Sequence, residues 1–310
     1  YSLGIRCNAW LLAYRRTKDK TYRDLLIREA KQLARLVLVG KEQRDGASDG
    51  SYSYVTPAEP AKAVRNGDNS NSQYGVLGVW AGARIGPEAE FKIPLAYWYR
   101  VMSHWKDSQR DDGGFAYKKG LRYHVKSTPA MTAAGVATLF VCFDNLWAEA
   151  FEGCNLGPEA EKVRRPIERG LDWMDRYFQG NPSLTNKYLL YGIERVGLAS
   201  GYKYFGKKDW YKAGACALLG RQGKDGSWSG YGEVVGTSFA LLFLARGRHP
   251  VLFNKLAFAG DWNNRPRDLA NLSRWINRVL ERDTAWQIIN LNVPVAEWHD
   301  APLLYLSGAK

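Results

Sequence analysis

A short sequence pattern recurs along the chain and constrains its fold more than any other feature. It consists of Gln, three residues, Gly, one residue and an aromatic residue, as in "QRDDGGF" and "QGKDGSW"; an earlier copy has three extra residues before its Gly. Successive glutamines are 66 and 113 residues apart, and the second spacing is about twice a unit of ~50 to 60 residues. The spacing therefore predicts a repeat architecture in which one unit, in the middle of the chain, lacks the pattern. Its residues are Gln43, Gly50, Tyr52, Gln109, Gly113, Phe115, Gln222, Gly226 and Trp228.

Two kinds of helix alternate along the chain, before, between and after these loops. Helices rich in small and apolar residues follow a polar cap, whose side-chain oxygen can accept from the first amides of the helix. They are predicted at 3–16, 68–86, 127–147, 183–197 and 237–246. Amphipathic helices with one charged side are predicted between them, at 21–40, 91–107, 159–180 and 207–222. Inner and outer helices in alternation predict an α/α toroid over residues 1–247.

The pattern changes after residue 248. A strand at 250–258, an amphipathic helix at 267–282 and strands at 285–291 and 301–308 predict the beginning of an α/β domain over 250–310. We expect a largely parallel sheet with buried strands. The predicted fold class is mainly α, an α/α toroid followed by the beginning of an α/β parallel-sheet domain. We interpret both ends as cut from a longer chain, so the compartment, periplasmic, secreted or cytoplasmic, stays open.

Composition narrows the classes of partner. The formal charge is +13, but basic and acidic residues are interleaved, so we expect no nucleic-acid partner. No stretch approaches the ~20 apolar residues of a membrane span, and we expect no transmembrane segment in this portion. The four cysteines lack CxxC spacing, three lie in apolar helical surroundings that predict buried free thiols, and the four histidines are dispersed. We therefore expect neither a metal site nor a cofactor.

The repeated loop has a physical role that needs no catalysis. Its Gly can adopt positive φ, and Asp112 or Asp225 can bond nearby amides in an Asx-turn. The Gln amide can satisfy groups at a helix end beneath the aromatic ring. Because the same residues recur at places that cannot all be active sites, the structural interpretation is favoured over a catalytic one.

The loop also resembles the repeat signature of the squalene and hopene cyclases, and more broadly the terpenoid cyclase and protein prenyltransferase toroid. The resemblance covers about residues 1 to 247 and rests on Gln109, Gly113 and Phe115 and on their counterparts from Gln222. It implies a toroid whose cavity binds an apolar substrate. This sequence has no counterpart of the catalytic motifs of such toroids. The missing motifs are the Asp-x-Asp-Asp acid, the DDxxD magnesium motif, the prenyltransferase zinc set and the thioester CGEQ of complement-like toroids.

The C-terminal segment resembles the opening of a bacterial domain of unknown function that follows such repeats. That domain is similar to class I glutamine amidotransferases, whose catalytic Cys would lie beyond residue 310. The resemblance rests on "DWNNRPRDLANL" and "WHDAPLLYLSG". Candidate loop residues at the carboxyl end of its first strand are Asp261, Trp262, Asn263, Asn264 and Arg265.

A ligand of the toroid would sit at its mouth, where the inner helices begin. The candidate cavity-lining residues are polar, aromatic or apolar side chains near those starts: Asp68, Asn69, Asn71, Gln73, Thr128, Met131, Asn186, Lys187, Tyr188, Tyr191, Glu194, Thr237 and Ser238. Helix caps and packed polar groups are the alternative interpretation of most of them.

Three hypotheses for function follow. The first is a module that binds a protein or an apolar or isoprenoid small molecule, attached to an α/β domain of unknown activity. The second is an enzyme acting on an isoprenoid or other apolar substrate, with Glu194 as its buried carboxyl. The third is a glycan-processing toroid with an Asp/Glu acid–base pair facing across a cleft.

Overall fold

The computed structural model describes residues 1–37, 50–54, 67–86, 91–118, 126–147, 157–246, 249–280 and 282–308. The described chain is mainly helical, with a small parallel sheet near the C-terminus, which confirms the coarse fold prediction. It divides into two compact units, Tyr1–Trp173 and Met174–Lys310. The boundary predicted from sequence near residue 248 is a different division and stays a prediction.

The first unit consists of α-helices. They are α1 (Ser2–Thr17), α2 (Lys20–Leu36), α3 (Asn69–Ala83), α4 (Leu95–Ser108), α5 (Pro129–Trp147) and most of α6 (Gly157–Gln179). Nearly every residue of α3 is buried, because it packs against α1, α2 and α5 and its small residues permit close approach. At Gly78, for example, an added Cβ would lie 2.4 Å from Leu33 Cδ1.

Helix α2 is amphipathic, as predicted for residues 21–40. Asp19 caps α2 by accepting from Thr21 N at 2.8 Å, and Leu26, Ala30 and Leu33 form the buried side of that helix. Among the described residues, α5 is the one helix long and apolar enough to cross a bilayer, and most of it is buried inside the protein.

The second unit combines helices with two sheets. After the end of α6 come α7 (Lys187–Ser200), β1 (Tyr204–Phe205), β2 (Lys208–Asp209), α8 (Trp210–Leu219), α9 (Glu233–Arg246), β3 (Val251–Ala257), α10 (Asp268–Leu280), β4 (Ala285–Asn290), a 3₁₀ helix (Val295–Asp300) and β5 (Leu303–Tyr305). The antiparallel β1–β2 hairpin and the 3₁₀ helix are absent from the sequence-based prediction, which assigned the hairpin's second strand to the next helix.

The three-stranded sheet has the order β4-β3-β5, and β3 pairs in parallel with both neighbours. The parallel arrangement is as predicted, and α10 packs its apolar side on the sheet through Leu269 and Ala270. The prediction of a buried strand at 301–308 is wrong. β5 lies at the edge of the sheet, and Leu303 and Leu304 are exposed because no described element covers them.

One cysteine prediction also needs correction. Cys7 and Cys142 are buried free thiols, as expected, but Cys216 is exposed, since the outer face of α8 carries it. Cys154 lies outside the described residues.

Candidate functional site

The second and third repeat loops have the same internal geometry. Gln109 Nε2 donates to Gly113 O and Gln222 Nε2 donates to Gly226 O, both at 2.9 Å. The two glycines have φ of 87° and 85°, in the left-handed region that favours glycine. Gln43 of the first loop lies outside the described residues, but its Gly50 has φ 95°.

Each loop also binds the inner helix that follows it, through a contact that the sequence analysis missed. The amide of the motif aromatic donates to a hydroxyl near the start of that helix. The pairs are Tyr52 N to Ser72 Oγ at 2.9 Å, Phe115 N to Thr132 Oγ1 at 3.1 Å and Trp228 N to Thr237 Oγ1 at 3.0 Å.

The residue three positions after each hydroxyl is small, and in the first two loops it lies against the ring of the motif aromatic residue. A Cβ on Gly75 or Gly135 would lie 2.7 Å from the ring of Tyr52 or Phe115, and the third position is the buried Ala240. A sequence pattern could have revealed the contact between each loop and its helix. The pattern is Ser/Thr-x-x-Gly/Ala, and it occurs as "SQYG", "TAAG" and "TSFA".

The carboxylates of the loops are hydrogen-bond acceptors. Although burial raises the pKa of Asp112, hydrogen bonds from Gly114 N, Ser127 Oγ and Trp173 Nε1 outweigh it and hold that pKa below its ordinary value. Bonds from the amide and hydroxyl of Ser227 likewise lower the pKa of Asp225. Neither group is suited to act as a proton donor near neutral pH.

The loops differ in what covers them. In the first two, a helix distant in sequence lies against the motif glycine: a Cβ on Gly50 would be 2.2 Å from Arg100 O in α4, and one on Gly113 would be 2.6 Å from Arg169 O in α6. Gln109 Nε2 also donates to Pro166 O, in the middle of α6, at 2.8 Å. That carbonyl lies within the helix, although the sequence had suggested a helix end.

The third loop has no such helix within the described chain. Gly226 is exposed, and within the described residues a Cβ there would meet only Gln222 Nε2, at 3.9 Å. The helix after this loop, α9, is exposed on an apolar side, where Val234 is 80% and Leu241 is 53% exposed. The third loop therefore lacks, among the described residues, the covering helix that lies against each of the first two loops. We call it the open third loop.

The candidate residues at the start of α3 form one buried polar cluster. Asp68 Oδ1 accepts from Asn71 N at 2.9 Å, which caps the helix. Asn69 connects the cluster to α4, because its Oδ1 lies 2.7 Å from Nε2 of His104. The Nδ2 of Asn69 donates to Ala116 O at 2.7 Å. Gln73 is buried as well. These side chains connect the helix to its neighbours, as the capping interpretation expects.

The start of α5, which packs against α3, carries two more candidates. Thr128 Oγ1 accepts from Met131 N at 3.2 Å, and Thr128 N donates to Phe115 O at 2.9 Å. Met131 is fully buried. Both residues serve the junction between the loop and the helix.

Candidates on α7 include caps and an aromatic group. Asn186 Oδ1 accepts from Leu189 N at 3.1 Å, and Lys187 Nζ donates to Ser229 O at 2.5 Å. The rings of Tyr188 and Tyr191 lie 5.9 and 5.6 Å from that of Phe239 on α9.

The remaining candidates of the second unit differ widely in exposure. Glu194, one turn after Tyr191, is completely buried. On α9, Thr237 holds the repeat loop, whereas Ser238 is exposed and donates to Val234 O at 2.7 Å.

The loop after β3 is held by a buried lysine. Lys255 Nζ donates to Asp268 Oδ1 at 2.8 Å, to Asn263 Oδ1 at 2.9 Å and to Arg265 O at 3.4 Å, and it lies 5.7 Å from the Trp262 ring. These bonds hold the second half of the loop at the carboxyl edge of the sheet. Of the candidates in this loop, Asp261, Asn264 and Arg265 are exposed, and Trp262 and Asn263 are partly buried.

Across the described residues, no group of three or more His, Cys, Asp or Glu side chains could hold a metal ion. No protein-family model matches the chain, and no curated protein matches it.

Proposed function

We propose that this chain is a binding module: an arc of an α/α toroid that receives an amphipathic helix of a partner protein at its third repeat loop, attached to an α/β domain of flavodoxin or amidotransferase type. The observation that carries the proposal is the open third loop. The same loop is covered by an outer helix twice within this chain, so the protein itself supplies the template for what binds there.

The template defines the chemistry of the partner. A covering helix offers a backbone carbonyl to the motif Gln, as Pro166 O does to Gln109, and packs against the motif Gly, as Arg169 does at Gly113. Its apolar side would cover the exposed side of α9, including Val234 and Leu241. Exposed apolar surface of this kind marks interaction sites, and helix-in-groove docking is a common mode of recognition.

The loops themselves support binding over catalysis. Cyclisation of the cyclase type needs a protonated carboxyl, whereas hydrogen bonding lowers the pKa of both Asp112 and Asp225. The order β4-β3-β5 is that of the first three strands of a flavodoxin-type sheet, in which ligands bind outside the carboxyl ends of β3 and β5. The loop fixed by Lys255 lies at that edge.

The test uses the full chain and a peptide of residues 157–179, the sequence of α6, stapled to hold it helical. The chain's own α6 already covers the second loop, so we expect one peptide to bind at the third loop. Fluorescence anisotropy should give a dissociation constant below about 1 mM, and Leu241→Glu should weaken it at least about tenfold.

Val279→Glu on α10 is the matched control, because Val279 is 55% exposed and Leu241 is 53% exposed. It should leave the affinity unchanged. Absence of binding by the wild type, equal binding by a scrambled stapled peptide, or a loss of binding caused by Val279→Glu would each overturn the proposal.

A second candidate, an enzyme acting on an apolar substrate, is favoured by the complete burial of the Glu194 carboxyl one turn from Tyr191. Incubation with squalene and prenyl diphosphates, followed by mass spectrometry, separates the two. Product formed by the wild type and lost in Glu194→Gln would establish the enzyme, and absence of product would exclude it for these substrates.

A further inference from the structure

The second unit contains a cavity of about 310 Å³, at the lower end of the range for small-molecule sites. Its walls come from the segment between α7 and α8 and from the starts of β3 and β4. Tyr202, Trp210 and Trp286 contribute aromatic rings to the lining. The cavity lies apart from the open third loop and does not depend on the function proposed for that loop.

Carboxylates outnumber the ammonium group in the lining, which contains Lys203, Asp209 and Asp300. Lys203 is almost completely buried and forms ion pairs with Asp300 and, at 2.7 Å, with Glu297. An anionic ligand would meet the carboxylates of Asp209 and Asp300, whereas a cationic ligand would share the Asp300 carboxylate with Lys203. An anionic ligand is therefore disfavoured, and the test below includes a cationic competitor.

Polar groups in the lining also disfavour a purely apolar ligand. Asp209 Oδ1 accepts from Lys212 N at 2.9 Å as the cap of α8, and Asp300 Oδ2 accepts from Lys203. Each carboxylate is held through one oxygen in these bonds. An apolar ligand would desolvate these carboxylates and the amide of Gln287 without offering hydrogen bonds in return.

We propose that this cavity binds a neutral, polyhydroxylated ring, a mono- or disaccharide. Hydroxyl groups donate to carboxylates, and such charge-assisted bonds are stronger than those between neutral groups. The C–H faces of a sugar ring are apolar and pack on aromatic rings such as Trp286 and Tyr202. The combination of aromatic rings and carboxylate acceptors in the lining fits this ligand class better than an anion or an isoprenoid.

The test is isothermal titration of the full chain with glucose, galactose, N-acetylglucosamine, maltose and cellobiose. At least one should bind with one-to-one stoichiometry and a dissociation constant below about 1 mM. Asp209→Asn keeps a good helix cap but removes the charge, so it should weaken that sugar at least about tenfold.

Asp19→Asn is the matched control, since Asp19 caps α2 by the same kind of bond and contributes nothing to the cavity lining. It should bind the sugar like the wild type, and both variants should keep the wild-type circular dichroism spectrum. The proposal is overturned if none of the five sugars binds, or if Asp209→Asn binds as tightly as the wild type. It is also overturned if tetramethylammonium or farnesol competes for the cavity more tightly than every sugar.

Discussion

Alanine at the motif glycines tests whether the loops differ only in their covering helix. Gly113 and Gly226 have φ of 87° and 85°, so the backbone strain of alanine is nearly equal, about 1–2 kcal/mol in each loop. The new Cβ differs in its surroundings. At Gly113 it would lie 2.6 Å from Arg169 O, and at Gly226 only 3.9 Å from the flexible Gln222 side chain.

The contact with a backbone carbonyl should add about 1–3 kcal/mol to the cost of Gly113→Ala, the range for overpacking a buried site. We therefore expect Gly113→Ala to lower the free energy of unfolding by about 2–5 kcal/mol, and Gly226→Ala by about 1–2 kcal/mol. Urea unfolding followed by far-ultraviolet circular dichroism measures both. Losses that agree within about 0.5 kcal/mol would refute the reasoning, because they would mean that the outer helix does not restrain the second loop.

Three further predictions concern buried or hydrogen-bonded groups. Lys255→Met should lower the free energy of unfolding by about 3–5 kcal/mol, because it leaves the partner carboxylate buried without its cation; a loss below about 1 kcal/mol in urea unfolding would contradict this. Because the folded-state pKa of Asp112 is lowered from 3.8, its stabilisation is present above that pH and is lost as pH falls below it. Thermal unfolding should therefore show a smaller acid-induced loss in Asp112→Asn than in the wild type, and parallel curves would contradict the assignment. Burial raises the pKa of Cys7 to about 12 and raises that of Cys142 as well, so iodoacetamide should label the exposed Cys216 first; early labelling of Cys7 by mass spectrometry would contradict the buried environment.

The positions of the helices could be predicted because each carries its own local signal. Capping residues such as Asp19 and Asp68 precede helices, and the charged side of α2 repeats with helical spacing. The parallel sheet was predictable from the order of strand, helix and strand. The short β1–β2 hairpin was not, because its strands have two residues each and carry no periodic pattern.

The exposure of the third loop could not be predicted from its own sequence. "QGKDGSW" contains the same motif residues as "QRDDGGF", and the two loops form the same internal hydrogen bonds. What differs is a helix distant in sequence, whose carbonyls reach Gln109 but have no counterpart at Gln222 among the described residues. Burial of a repeated element depends on its neighbours, so a shared local motif gives no information about it.

Hydrogen–deuterium exchange in one sample tests the open third loop most directly. Gly113 N donates to Arg110 O and Gly226 N donates to Gly223 O, both at 2.9 Å, so the two amides differ in their covering helix and not in their hydrogen bond. We predict that loop 222–228 exchanges at least about tenfold faster than loop 109–115, and that the stapled α6 peptide slows loop 222–228 alone. Equal exchange of the two loops without the peptide, or protection by the peptide elsewhere in the chain, would contradict the account.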